Sequence, residues 1–288
     1  MVDTTKPFAP ERPPERWRAA LRQPLTVIGV MLVTIHLFLA LFAPVLAPYS
    51  ISAIFTDGLT PPSAEHLMGT DQIGRDYLSR LMSGGRVALL VSAMGVAVAV
   101  AFGTTLGLVA GYFGGWIDDA IMRVTDTLMS VPELLLIAIL VLTFGKDLVA
   151  LSLIVAIVYT PGVIRVVRAR TISIAALDFV CAAELRGEAT TYILFREIAP
   201  NLSGLLAVEV AIRISSAVLK ISALSFLGLG ISQPTPDWGL MVQEAMVVVF
   251  TDAWFLILPS IALSSLIIGI NFTVDGFARV YGISQLET

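Results

Sequence analysis

Six stretches of this chain, each about twenty residues long, are predominantly apolar, and that pattern limits the possible folds more than any other feature. The first, about Leu25 to Ala47, contains no Asp, Glu, Lys or Arg. A bilayer core about 30 Å thick is crossed by about 20 apolar residues in a helix. Within lipid the backbone must satisfy its own hydrogen bonds, which helices do segment by segment. Further runs lie at about Val87–Tyr112, Ile121–Phe144, Leu148–Val166, Leu205–Ser225 and Trp254–Val274. Apolar residues make up 57% of the chain and charged residues 14%, with a mean hydropathy of +0.88; soluble domains carry about 25% charged residues. The expectation is an all-α integral membrane protein with six transmembrane helices.

The polar stretches divide the chain. Residues 1–24 are rich in Pro and Arg and read as a cytoplasmic tail leading into a retained helix, not as a cleaved signal. Residues 25–86 hold the first helix and a polar segment with Pro61-Pro62. Residues 87–280 form the core domain, interrupted by a charged loop at 167–204, and 281–288 is a short tail. Orientation follows the Lys and Arg bias of the loops. With the N-terminus inside, twelve of these residues fall on the inner side, and Arg75, Arg80, Arg86 and Lys146 fall outside. Both termini and 167–204 are therefore expected in the cytoplasm, and 48–86 and 226–252 outside.

Several residues invite a role. Gly103, Gly107 and Gly111 at four-residue spacing predict close helix packing. Glu209, Arg213 and Lys220 lie in the fifth run, where a charge costs about 2.5–3.5 kcal/mol; their spacing of four and seven puts them on one face, either as an internal ion-pair stripe or as a path lining. Lys220 is expected to be the more deeply buried cation and the one left without an intrachain partner. Asp126 and Glu133, two turns apart, could share a face as paired carboxylates of an intramembrane enzyme, the rival reading, though nothing assembles around them. Cys181 is expected as a small buried hydrophobe, and His66 as a structural hydrogen-bonding group. One cysteine and two histidines exclude a disulfide framework and make a protein-built metal site an unpromising reading.

Asp178-Phe-Val-Cys-Ala-Ala-Glu-Leu-Arg-Gly187, followed by Ile198-Ala199-Pro200, resembles the cytoplasmic coupling loop of ABC-importer permeases. Three more segments extend the resemblance over about residues 25–280, to the dipeptide/oligopeptide/nickel class and its C-type subunit. They are His66-Leu-Met-Gly-Thr-Asp71 through Arg80; Gly111-Tyr-Phe-Gly-Gly-Trp-Ile-Asp118 with Arg123, Asp126 and Pro132; and Ala223-Leu-Ser-Phe-Leu-Gly-Leu-Gly230 with Gln233-Pro-Thr-Pro-Asp-Trp238-Gly239. The resemblance implies a type I importer permease fold. It also implies a homologous B-type permease partner, two cytoplasmic ATPase subunits that hold ATP and Mg, an extracytoplasmic solute-binding protein and a lipid surround. Nucleic acid is not an implied partner. This chain has no glycine–lysine phosphate loop and binds no cofactor itself. Cargo would be peptides or related small acidic solutes, with nickel complexes, glutathione or opine-like solutes as alternatives.

In such a permease the ATPase-coupling residues would be Ala182, Ala183, Glu184, Arg186, Gly187 and Glu188, with Pro200 ending the segment and Asn201 capping the next helix. Glu209, Arg213 and Lys220 would be the path candidates. Two departures stand out: Cys181 replaces the Glu that opens the coupling motif, with Glu184 available to take over its contact, and Lys220 stands where relatives commonly carry an acid.

Overall fold

A computed structural model describes residues 21–56 and 58–280; the expected tails at 1–24 and 281–288 fall wholly or mostly outside that range. The described elements are helices, accompanied only by isolated bridges within 54–76. They are α1 (Pro24–Leu46), α2 (Tyr77–Phe113), α3 (Gly115–Met129), α4 (Glu133–Phe144), α5 (Leu148–Ala175), α6 (Asp178–Leu185), α7 (Ser203–Phe226), α8 (Trp238–Ala245) and α9 (Trp254–Val280). Five helical stretches are long and apolar enough to cross a membrane, or six if α3 and α4 count as one bent span. The all-α, multi-pass expectation holds.

The third span departs from expectation. Instead of one straight helix over 121–144, α3 and α4 meet at 88°. Pro132 caps α4 with extended backbone, and a residue preceding proline is itself driven out of helical geometry. At about 1.5 Å per residue, the 12 residues of α4 cannot cross a bilayer alone. Other boundaries also moved. α2 starts at Tyr77 rather than Val87 because Asp76 caps it, accepting from the Ser79 amide at 2.8 Å and its hydroxyl at 2.7 Å. α5 runs on to Ala175, so the charged loop opens as a helical extension. The stretch 226–252 is not only loop: Asp237 Oδ1 accepts from the amides of Gly239 and Leu240 and starts α8.

Small residues set the helix packing. A Cβ placed on Gly103, Gly107 or Gly111 would come within 2.6–2.7 Å of the Cβ atoms of Val163, Val167 and Thr171 respectively. The paired numbers rise together, so α2 and α5 are parallel, backbone against side chain, as small residues permit in lipid. Gly95 extends this seam onto Val155. α1 packs antiparallel on α9 through Gly29, Gly269 and Gly276. Outward-facing side chains such as Leu41 and Val45 are exposed, as a lipid-facing or subunit-facing surface requires.

The two ends of the bundle differ. At the α8 end, Arg80 is fully buried and meets Glu244 at 2.9 Å and Asp71 at 3.3 Å. Arg75 joins both acids at 2.6 and 3.4 Å. His66 Nδ1 lies 2.9 Å from Asp76 Oδ1, flanked by the rings of Tyr49 and Phe55, so its role is structural as expected. At the α6 end, Leu108, Val163, Val167, Val180, Ala183, Ile193 and Leu202 form a second apolar cluster.

Candidate functional site

Two assemblies contain the candidate residues. The first is the segment after α5. Val180 and Ala183 are its buried anchors, seated against the ends of α2 and α5. Its other face is open: Ala182, Glu184, Arg186 and Gly187 are exposed, Leu185 is 90% exposed, and Glu188 is half-buried. Six candidate residues thus lie together, with Ala183 alone turned inward. Cys181 is exposed, contrary to expectation, because the helical register that buries positions 180 and 183 turns 181 away.

Gly187 has φ +74. Its amide donates to the Glu184 carbonyl at 2.9 Å and the Glu188 amide to the Ala183 carbonyl at 3.2 Å, the paired bonds that close a helix through a left-handed residue. A Cβ there would meet nothing within 4 Å. Glycine is thus needed for backbone conformation, and the space beside it is open. The acids expected to contact a partner are engaged within the chain: Glu184 accepts from the Tyr112 hydroxyl at 2.7 Å, and Arg186 lies 3.5 Å from Glu188 and 4.0 Å from Glu197.

The segment does not end at Pro200. A helical turn at Thr190–Tyr192 widens into a π-helix over Ile193–Ile198, tightens into 3₁₀ turns over Ala199–Leu202 and continues into α7. Pro200 removes one helical donor and crowds the preceding turn; the wide turn accommodates it without breaking the axis. Asn201 caps nothing, since its side-chain amide donates to the Glu197 carbonyl at 2.7 Å.

The second assembly lies between α4, α5 and α7. Arg213 reaches Glu209 at 2.6 Å one turn back and donates to the Tyr159 carbonyl at 3.4 Å. Gly162 leaves room for that guanidinium, which a Cβ would approach to 2.8 Å. Lys220 pairs with Glu133 at the start of α4. The Tyr159 ring sits between the cations, 4.9 Å from Lys220 Nζ and 6.0 Å from Arg213 Cζ, within cation–π range, while its hydroxyl bonds Ser216 at 3.0 Å.

The three path candidates therefore form one stripe, as their spacing predicts, but two expectations fail. Lys220 is not left unpaired, because the α3–α4 bend delivers Glu133 to it. Nor is it the deeper cation: its side chain is 22% exposed, against 14% for Arg213. The bend also separates Asp126 from Glu133; Asp126 pairs with Arg165 at 2.6 Å, so the two carboxylates share no face. Glu133 was singled out from sequence only beside Asp126, not as the partner of Lys220, and Tyr159 and Gly162 were missed. Pro132 signalled the bend that brings Glu133 in, whereas Tyr159 and Gly162 look like ordinary helix residues.

Residues 103–282 match the family described as "Binding-protein-dependent transport system inner membrane component", and residues 15–62 match the "N-terminal TM domain of oligopeptide transport permease C". This chain belongs to the binding-protein-dependent inner-membrane permease family, and it is a transport subunit of a multi-component system. It is 36% identical over 265 residues to a dipeptide transport system permease protein, DppC, of Alkalihalophilus pseudofirmus, covering 90% of this chain and 87% of the relative. It is 36% identical to a di/tripeptide permease, DppC, of Pseudomonas aeruginosa, covering 91% and 89%. It is also 36% identical to a glutathione transport system permease, GsiD, of Pectobacterium atrosepticum, covering 91% and 88%.

Proposed function

We propose that this chain is the C-type permease of an ATP-driven importer of small peptides. It would pair with a homologous B-type permease, receive cargo from an extracytoplasmic binding protein and be driven by two cytoplasmic ATPase subunits that hold the ATP and Mg. The proposed orientation puts both termini and α6 in the cytoplasm and α8 outside. The observation that carries this reading is the α6 segment. It presents Ala182, Glu184, Leu185 and Arg186 outward, ends on a left-handed Gly187, and is anchored by Val180 and Ala183 to the ends of α2 and α5. An exposed, rigidly seated helix is what transfer of force from a separate motor needs.

Peptide cargo is supported by the dipeptide, di/tripeptide and glutathione relatives. It is also supported by the stripe of Glu209, Arg213, Lys220 and Glu133, which carries both charge signs in pairs. A stripe of that kind complements a solute bearing one ammonium and one carboxylate, and a paired stripe gives no reason to favour purely anionic cargo.

The test is the complete complex in proteoliposomes with binding protein. Uptake of a dipeptide should exceed that of glutathione and of nickel complexes, and a reversed order would overturn the cargo reading. Gly187→Val forces a β-branched residue into φ +74 at a cost of about 1–2 kcal/mol. The expected result is uptake falling at least tenfold with the membrane bundle still folded; full uptake would overturn the coupling role.

A further inference from the structure

We propose that the cleft between α1, α2, α7 and α9 is a binding site for a phospholipid with a net negative headgroup. The cleft is lined by fourteen side chains, all apolar except Arg86 and Thr273. Thr273 spends its hydroxyl on the Gly269 carbonyl of its own helix at 2.8 Å. Among the described residues, Arg86 is therefore the one polar group lining the cleft whose donors meet no partner.

Its position fixes the chemistry. Arg86 is the last residue before the apolar run of α2, and Leu90 follows one turn deeper on the same face. Leu37, Ile214 and Ile270 form the facing walls. A charged head at the rim with an apolar trench leading inward is the polarity of a lipid, cation to phosphate and trench to acyl chain. Arg75 and Arg80, on the turns before it, are held by Asp71 and Glu244. No acidic side chain among the described residues lies within ion-pair distance of Arg86.

Charge complementarity separates the occupants. A peptide solute would desolvate its polar backbone against this apolar lining. A helix of a partner subunit would have to supply an acid at membrane depth, where acids are costly. A lipid phosphate supplies the anion without that cost, and guanidinium binds phosphate through two donors. The groove between α2, α3 and α5 has no charged lining and gives no such selection.

The experiment uses the assembled transporter, reconstituted in equal parts phosphatidylethanolamine and phosphatidylglycerol and examined by native mass spectrometry for retained lipid. Wild type should hold phosphatidylglycerol in preference. Arg86→Gln should lower its retention about fivefold, the loss expected for one interfacial cation, and Arg86→Lys, which keeps the charge but not the two-donor fork, should restore part of it. Leu90→Trp fills the trench, keeps the cation and should also release the lipid, which decides the matter if Arg86→Gln fails to assemble. Equal retention of the two lipids, wild-type retention in either Arg86→Gln or Leu90→Trp, or a cross-link from Leu37→Cys into the partner permease would overturn the proposal.

Discussion

The charges at the α8 end and those between α4, α5 and α7 each comprise two acids and two cations and behave as opposites. Asp71, Arg75, Arg80 and Glu244 interlock four ways, with Arg80 at zero exposure. In the stripe, Glu209–Arg213 and Lys220–Glu133 are separate pairs, and Glu133 is about half exposed at 51%. In the closed network every member holds two partners at once, so none is free to turn away. An open pair can exchange its partner for water or solute. The first arrangement fixes shape, and the second suits a surface that cargo passes.

Removing Arg80 should have the largest effect. Arg80→Ala leaves the buried Asp71 and the half-buried Glu244 sharing Arg75 alone and should cost about 3 kcal/mol, seen as a collapse of the thermal melting temperature of the purified protein. A loss under about 1 kcal/mol would dissolve the contrast.

Asp237 gives the next effect. It is completely buried, one carboxylate oxygen caps α8, and burial pushes its pKa up to about 6. With the folded value above the unfolded one of about 3.9, the native state holds the extra proton, so the contribution of Asp237 to stability is greatest below about pH 4 and declines as pH rises to about 6. Asp237→Asn keeps a capping oxygen and should flatten that decline, by about 2–3 kcal/mol across the window. Identical pH profiles of melting would count against a buried proton there.

The smallest stability effect is expected at Lys220. Lys220→Met leaves Glu133 where solvent can reach it, so assembly should weaken by no more than about 1 kcal/mol while dipeptide uptake drops severalfold. Failed assembly would mean the stripe is as locked as the α8 end, and unchanged uptake would remove Lys220 from the path.

What the sequence revealed follows the range of the interactions. The glycine repeat at 103, 107 and 111 announces the α2–α5 seam because helix periodicity is local. Clustering of Glu209, Arg213 and Lys220 on one face was readable for the same reason. Their partners were not: Lys220 meets a residue 87 positions away, and only a bend between α3 and α4 brings it there. Arg80 and Arg86 suggested that α2 begins after them, because a hydropathy reading cannot see that Asp71 and Glu244 neutralise Arg80. Cys181 was misjudged through residue preference, where the neighbouring Val180 and Ala183 decide the register.

The glycine seam also has a mechanical consequence. With the α2 backbone pressed at Gly95, Gly103, Gly107 and Gly111 against Val155, Val163, Val167 and Thr171 of α5, the two helices are keyed together along the seam and resist sliding. They form a single beam of about 55 Å, taking about 1.5 Å for each of the 37 residues of α2. α6 is fastened across the end of both members through Val180 and Ala183. A displacement applied at α6 has no slack to absorb it, so it must tilt the beam as a whole, and Tyr159 and Gly162, which ride on α5 against Arg213, tilt with it.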